Sequence, residues 1–141
     1  MRTPRAEAPR VLAVRDSFAC RLDKWNSTIA RCPRLRRVRA LVEDRPPGTV
    51  TRAEAADAAA LEESSFSRAF RAQTGVTYQQ WSRALRVAHA LALMLEGDLA
   101  LAEVAQYAGF GSLRSMERAF HAFLGVSPRA YRSSLRQPAR S

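Results

Sequence analysis

Apolar residues recur along most of the chain at steps of three and four, the spacing of amphipathic α-helices. The first stripe runs through residues 14–29, and a helix carrying it must end near Pro33, because a residue before proline is pushed out of the helical region. A second stripe occupies residues 35–42, and the Arg-Pro-Pro-Gly run at 45–48 ends it. The pattern therefore predicts two helices ahead of residue 48, after a flexible start at residues 1–10.

The periodicity downstream of residue 48 predicts six more helices, with caps and turns that separate them. Thr51 and Glu54 have the spacing of a capping box, and Ser127 before Pro128 is a typical helix start. Gly75 is placed for a left-handed C-terminal cap. The predicted helices cover 52–60, 64–73, 78–95, 101–108 and 112–124, with a last one from Pro128. The 78–95 segment is apolar nearly all round, so we expect it to be buried from more than one side and to join its neighbours rigidly.

Residues 66–77 and 116–127 are nearly the same sequence, with Arg, Ala, Phe, Ala, Gly and Val recurring at a constant offset of 50. Each copy is an Arg-bearing helix closed by glycine and preceded by a short Ala-rich helix. This repeat predicts an all-α fold with two homeodomain-like helix-turn-helix subdomains. The expected order is an N-terminal amphipathic helical arm, a first subdomain, a linking helix, a second subdomain and a flexible tail, at 1–32, 33–77, 78–96, 97–132 and 133–141.

The polar faces of the two Arg-bearing helices are the candidate chemistry. In the second copy, apolar positions at steps of 3, 4 and 3 form the expected core face: Leu113, Met116, Phe120 and Phe123. The opposite side collects Arg114, Arg118 and His121, flanked by Ser115 and Glu117. In the first copy, the inward positions are Phe66, Ala69 and Phe70, and the outward ones are Ser64, Ser67, Arg68 and Arg71. At the start of the helix in the first copy, we expect Glu62 and Glu63 to interact favourably with the helix dipole; the alternative is that they face the duplex and repel its phosphates.

The net charge of the chain indicates a polyanionic partner. The formal net charge is +10, and all but one of the 23 basic residues are arginine. Residues 1–48 contribute +7, residues 49–98 contribute −1 and residues 99–141 contribute +4. Because of this uneven charge, the second copy is the better candidate for tight contact with duplex DNA. Arginine suits bidentate bonding to phosphate and guanine, and the alternative explanation of the arginine preference is a GC-rich genome, whose codons favour arginine.

Other chemistries find little support in the sequence. Cys20 and Cys32 are the only cysteines, and neither His89 nor His121 lies at metal-ligand spacing from them. Nucleophile-elbow, phosphate-loop and zinc-protease motifs do not occur, so neither an enzyme nor a bound cofactor or metal is expected. With no apolar run of 18 residues and no signal-peptide pattern, the prediction is a soluble, cytoplasmic, nucleoid-associated protein without membrane contact.

From about Leu35 to Arg132 the chain resembles the two-motif DNA-binding domain of AraC/XylS-type bacterial transcription regulators. The most specific matches are Val104-Ala105, Gly109-Phe110, Arg118-Ala-Phe120, Gly125-Val-Ser-Pro128 and Tyr131-Arg132. The resemblance implies two helix-turn-helix units that enter successive major-groove segments on one side of a duplex. It implies base contacts by Arg114, Glu117, Arg118, Ser64, Ser67 and Arg68. Expected phosphate contacts are Thr51, Arg52, Arg71, His121, Ser127 and Arg129. Leu113 matches a contact position, but its periodicity predicts burial.

The chain departs from the family at Ala60, where the first turn has glycine, at Glu62, where serine often caps, and at Ala100, which lacks a capping hydroxyl.

A sequence-specific transcription regulator, with DNA and RNA polymerase as candidate partners, is the main prediction. The alternative is a degenerate DNA-binding fold that acts as a protein-interaction module. The 14–29 stripe is either an arm folded on the first unit or a dimer seam. With 1–32 too short for an effector domain, the chain is expected to be a stand-alone member or a fragment of a longer regulator.

Overall fold

The computed structural model describes residues 4–136, with side chains from Arg10 onward. This part of the chain contains eight α-helices and no strand, which confirms the all-α prediction. The helices are α1 Pro4–Arg31, α2 Pro33–Glu43, α3 Arg52–Ala58, α4 Glu63–Thr74, α5 Tyr78–Glu96, α6 Leu101–Tyr107, α7 Leu113–Leu124 and α8 Pro128–Arg136. Residues 1–3 of the predicted flexible start and residues 137–141 of the predicted tail lie outside the described residues. Residues 133–136, predicted to belong to the flexible tail, are helical as the last part of α8.

The described residues form two compact units. One consists of residues 21–86, and the other combines the residues up to Cys20 with those from Val87 onward. Each unit contains one pair of short and Arg-bearing helices, α3 with α4 and α6 with α7. The boundaries between the units fall inside α1 and α5, so each of these helices contributes residues to both.

In the 21–86 unit the core is an aromatic cluster formed by α4 and α5. Phe66, Phe70, Tyr78 and Trp81 are all buried, with neighbouring ring centroids 5.6–6.0 Å apart. The indole nitrogen of Trp81 donates to Oδ1 of Asn26 at 2.9 Å, so a polar group in the cluster is satisfied by α1. The cluster holds α4 in place and thereby orients its opposite face.

In the other unit α7 packs between α6 and α8. Its buried positions are Met116, Ala119, Phe120 and Leu124, whereas Leu113 and Phe123 are half-buried. The predicted core face was therefore right at Met116 and Phe120 and displaced at its ends. Periodicity alone does not fix the rotation of a helix about its axis, because the neighbours decide which edge of the apolar stripe is covered.

Helix α1 differs from the predicted arm. It begins at Pro4, so the expected flexible start at residues 4–10 is helical. Phe18, Leu22 and Ile29 of the apolar stripe are buried within the single chain. Only the part from Arg21 onward belongs to the unit of the first helix-turn-helix, so the expectation of an arm folded on the first unit holds for that part alone. The same burial removes these apolar side chains from any dimer seam.

Helix α5 buries one stripe rather than most of its surface. The buried positions are Tyr78, Trp81, Ala84, Val87, Ala90 and Met94. Ala92 is exposed, and Leu95 is 70% exposed, so the prediction of burial nearly all round was wrong at the end of the helix. A folded protein leaves much apolar area in contact with water, and side-chain type alone does not assign burial.

The caps and turns follow the sequence closely. The amide of Glu54 donates to Oγ1 of Thr51 at 3.1 Å, and the amide of Thr51 donates to the Glu54 carboxylate at 3.0 Å, which confirms the capping box. Gly75 and Gly125 end their helices with φ of 84° and 72°, in the left-handed region as predicted for Gly75. The turn between α3 and α4 requires a positive φ too, and Ala60 adopts it at 59° where Gly109 of the second turn has 93°.

Candidate nucleic-acid interface

The outward face of α7 carries the strongest of the predicted site residues. Met116 and Phe120 are fully buried, so the opposite side of the helix is directed to solvent. The side chains of Arg114, Glu117, Arg118 and His121 are all exposed. Within residues 10–136 neither Arg114 nor Arg118 has an ion-pair or hydrogen-bond partner, so both guanidinium groups are available to an external acceptor.

These four side chains line one hollow together with Ser127, the residue before α8. The hydroxyl of Ser127 accepts from the amide of Ala130 at 3.0 Å, as expected for a helix N-cap. Five predicted site residues therefore meet at a single surface, where α7 lies beside the positive end of α8.

The first copy has a corresponding hollow. Its lining consists of Arg52, Ser67, Arg68, Arg71, Thr77, Tyr78 and Gln79. Arg68 and Arg71 are exposed and Ser67 is half-buried, whereas Phe66 and Phe70 on the other side of α4 are fully buried. The predicted residues of α4 other than Ser64 therefore meet here, together with Arg52 at the start of α3.

The two hollows are lined by the same positions of the repeat. Ser67, Arg68, Arg71 and Thr77 correspond at the offset of 50 to Glu117, Arg118, His121 and Ser127. The internal repeat thus extends from the core to the surface, and both copies present a guanidinium at the same place, through Arg68 and Arg118. The remaining lining side chains differ, so the two hollows present different hydrogen-bonding groups to a ligand.

Sequence reasoning missed Thr77 and Gln79, which lie at the start of α5. The amide of Gln80 donates to Oγ1 of Thr77 at 3.0 Å, and the amide of Thr77 donates to the Gln80 side chain at 2.9 Å. This is a second capping box, and the Thr-x-x-Gln spacing would have revealed it. The correspondence of Thr77 with Ser127 would have placed it beside α4.

Three predicted residues lie outside the hollows. Ser64 is exposed in the first turn of α4, Thr51 is the exposed N-cap of α3, and Arg129 is exposed in the first turn of α8. Leu113 is half-buried, which is less than its periodicity predicted.

Ion pairs modify the charge around α3 and α4. Arg52 Nε donates to the Glu63 carboxylate at 3.2 Å, and Arg45 forms an ion pair with Glu54. The amide of Thr51, and after it Arg45, hold the pKa of Glu54 below its ordinary value. Glu62, the N-cap residue of α4, makes no capping hydrogen bond through its side chain. The favourable interaction of Glu62 and Glu63 with the helix dipole therefore stays a prediction.

The described residues offer no alternative centre for metal chemistry, since no three His, Cys, Asp or Glu side chains among them are grouped as metal ligands. None of the described helices combines the length and apolarity that crossing a bilayer requires.

Comparison with known proteins gives the family. A family model described as a helix-turn-helix domain matches residues 55–134. The chain is 36% identical over 84 residues to the probable transcriptional regulator LumQ of Photobacterium leiognathi, which covers 60% of this chain and 34% of LumQ. It is 38% identical over 69 residues to the transcriptional regulator RipA of Corynebacterium diphtheriae, covering 49% of this chain and 20% of RipA. The chain thus spans between a fifth and about a third of the length of these relatives.

Solved structures agree in fold. The DNA-binding domain of the global transcriptional factor AdpA, crystallised with a target DNA, has a TM-score of 0.64 and 32% identity over 70% of this chain and 89% of that chain. An AraC-type transcriptional regulator from Chromobacterium violaceum has a TM-score of 0.67 and 19% identity over 76% of this chain and 96% of that chain, a likeness of fold alone. With both units, both turns and the family match in agreement, the chain belongs to the helix-turn-helix family of AraC-type DNA-binding domains.

Proposed function

We propose that this chain is the sequence-specific DNA-binding part of a bacterial transcription regulator, and that α4 and α7 each read one of two successive major-groove segments. The observation that carries the proposal is the pair of equivalent hollows. Each presents an exposed arginine, Arg68 or Arg118, from a helix whose other side is buried. An α-helix with such a face fits the major groove of B-DNA.

The residues of α7 suit direct readout of bases. Arg114 and Arg118 can each donate two hydrogen bonds to guanine, and the carboxylate of Glu117 can accept from the amino group of cytosine. Each good bidentate pair contributes about 1–3 kcal/mol of discrimination against the wrong base. In α4 the corresponding set is Ser64, Ser67 and Arg68, which offers one guanidinium and two hydroxyl groups. We therefore assign more of the base specificity to α7 than to α4.

Phosphate contacts would come from residues at helix starts and beside the recognition faces. These are Thr51, Arg52, Arg71, His121, Ser127 and Arg129. The amides of Glu54 and Ala130 donate to the N-cap hydroxyls, and Pro128 has no amide hydrogen. The amides of Arg52 and Ala53 in α3 and of Arg129 in α8 remain without an intrahelical partner at the positive end of the helix dipole, which favours an anion such as a phosphate. Contacts of this kind fix the register of a protein on the duplex without reading sequence.

The DNA complex of the AdpA domain supports a duplex as the partner, and the names of the curated relatives support regulation of transcription. We propose that the regulator acts in the cytoplasm on the nucleoid and that RNA polymerase is its further partner. Because Phe18, Leu22 and Ile29 of the apolar stripe are buried within one chain while Val14 and Trp25 are half-buried, we propose that the domain binds DNA without a dimer seam at residues 14–29.

The test is selection of duplexes from a randomised library, followed by affinity measurements with the selected duplex and a scrambled one of the same length. We expect two preferred base clusters about one helical turn apart. Arg118→Ala should lower the ratio of the two affinities by about 10-fold or more, because it removes a base contact. Arg129→Ala should weaken both complexes alike, because phosphate contacts carry no sequence information. Equal losses on both duplexes for Arg118→Ala, or the absence of any selected sequence, would refute the proposal.

A further inference from the structure

Most of the excess charge of this protein lies away from its two hollows. Residues 21–40 contain seven basic residues and one acidic residue, so they hold six of the ten net positive charges. This segment forms the second half of α1 and most of α2, and it precedes residues 55–134 that the family model matches. Neither hollow includes a residue from it. The contacts proposed for α4 and α7 therefore involve none of the basic side chains in residues 21–40.

The side chains of this segment divide into neutralised and free groups. Arg39 donates to the Glu43 carboxylate at 3.3 Å and to the carbonyl oxygen of Asn26 at 3.4 Å. Within residues 10–136 five other basic side chains are exposed and have no hydrogen-bond or ion-pair partner. They are Lys24, Arg31, Arg34, Arg36 and Arg37, and we refer to them as the basic surface.

Folding does not explain why these charges are concentrated here. Helix α2 packs through Leu35 and Val38, which are 1% and 0% exposed. Arg34 and Arg37 are three residues apart on the same helix, so their charges repel each other. The first turn of α2 contains no acidic residue, and its N-cap side chain makes no hydrogen bond. Cations at that position oppose the helix dipole, and a bound polyanion would offset both effects.

The composition of the surface indicates which polyanion fits. Four of its five side chains are arginines, whose planar guanidinium pairs with phosphate in bidentate fashion. The large apolar side chains that are exposed among the described residues are Leu12, Leu95 and Tyr107, and none of them lies in residues 21–40. A membrane-inserting helix or a protein-binding hot spot would need apolar anchors there. Phosphates without apolar contact match the surface better.

We propose that the basic surface binds the phosphate backbone of duplex DNA without regard to base sequence, as a contact separate from α4 and α7. The inference rests on the proposed function, because it assumes that the chain binds a duplex. It adds a non-specific component from residues outside the part that the family model matches. Its expected signature is a larger dependence of affinity on salt than the two recognition helices alone would give.

The test compares the double variant Arg34→Gln/Arg37→Gln with the unmodified chain on the selected duplex and on its scrambled counterpart. Glutamine keeps helix propensity and removes the charge. We expect the slope of log affinity against log salt to become shallower by up to about 1.8, since each lost phosphate contact accounts for about 0.9. Affinity should fall by on the order of tenfold at low salt for both duplexes, so that their ratio is unchanged.

Two controls isolate the local contact. Arg10→Gln/Arg136→Gln removes two positive charges from exposed positions outside the segment, of which Arg136 is paired with Asp98, and should leave the slope nearly unchanged. Arg34→Lys/Arg37→Lys keeps the charge and should retain most of the slope, which excludes a folding defect as the cause. A slope that Arg34→Gln/Arg37→Gln does not alter, or one that the Arg10 control lowers equally, would overturn the inference. If the inference fails but the unmodified chain still prefers the selected duplex over the scrambled one, the proposed function is supported. If the unmodified chain shows no such preference, the proposed function and this inference are both refuted.

Discussion

Phe18 of α1 lies edge-on against Phe123 of α7, with ring centroids 5.7 Å apart and ring planes inclined by 62°. Phe18 is 1% exposed, and Phe123 projects from the same helix as Arg118 and His121. A residue far ahead of the matched family region thus packs directly against the second recognition helix. The part of α1 up to Cys20 therefore belongs to the core of the unit that contains α7.

Replacing Phe18 by alanine should lower the free energy of unfolding by about 3–5 kcal/mol, because it removes a buried ring and leaves a cavity beside α7. Leu12→Ala on the same helix is the matched control. Leu12 is 36% exposed, so its truncation should cost about 1 kcal/mol or less. Urea unfolding of both variants measures the difference, and equal losses would show that the aromatic contact contributes nothing beyond α1 helicity.

Ala60 adopts a left-handed backbone that costs a residue with a Cβ about 1–2 kcal/mol. Ala60→Gly should relieve this strain and lose part of the gain to the greater freedom of glycine in the unfolded chain. We expect a net stabilisation of about 0.5–1 kcal/mol by thermal or urea unfolding. The neighbouring Ala59→Gly has the opposite expectation, since Ala59 is buried with an ordinary φ of −83°. Destabilisation by Ala60→Gly would mean that the turn needs the methyl group.

Glu63 forms an ion pair with Arg52, for which we propose a phosphate contact. Both side chains of this ion pair are 52% exposed, so the pair itself stabilises the fold by about 1 kcal/mol at most. Glu63→Gln should free Arg52 and tighten binding to selected and scrambled duplexes alike, by about fivefold or less at low salt. The same change made together with Arg52→Gln should give a smaller increase. Weaker binding by Glu63→Gln would show that the pair positions Arg52 for the duplex instead of masking it.

Tyr78 makes the free energy of unfolding depend on pH under alkaline conditions. Its buried hydroxyl donates to the carbonyl oxygen of Val50 at 2.8 Å, and burial raises the pKa of Tyr78 to about 12. A tyrosine in the unfolded chain ionises near pH 10, so between these values the unfolded state loses a proton that the folded state keeps. The stabilisation of the folded state by protonated Tyr78 is therefore complete below pH 10. It is lost as the pH rises to about 12, which lowers the free energy of unfolding by up to about 3 kcal/mol.

Tyr78→Phe should cost about 1 kcal/mol at neutral pH, because the hydrogen bond to Val50 is lost, and should flatten the alkaline decline. Tyr107→Phe removes a hydroxyl that is mostly exposed and is the control. Unfolding free energies measured from pH 8 to pH 12 separate the two variants, and a decline that persists in Tyr78→Phe would assign it to other groups.

Much of the fold was predictable because its signals are local in the chain. The capping box at Thr51, the left-handed end at Gly75 and the serine cap before Pro128 each depend on a few neighbouring residues. The outward position of Arg118 also followed from the sequence, since a helix with a buried Phe120 must expose the opposite side. The offset of 50 added what a single copy lacks, namely that both Arg-bearing helices belong to one kind of unit.

What the sequence by itself determined is the set of helices, their caps and the side of each recognition helix that meets solvent, because backbone hydrogen bonds and helical periodicity act within a few residues. Only the tertiary structure decided that Asn26 satisfies Trp81 and that Leu95 stays exposed. These depend on which surfaces of distant segments pack together. Packing is selected by shape and burial over the whole unit, and no short stretch of sequence contains that information.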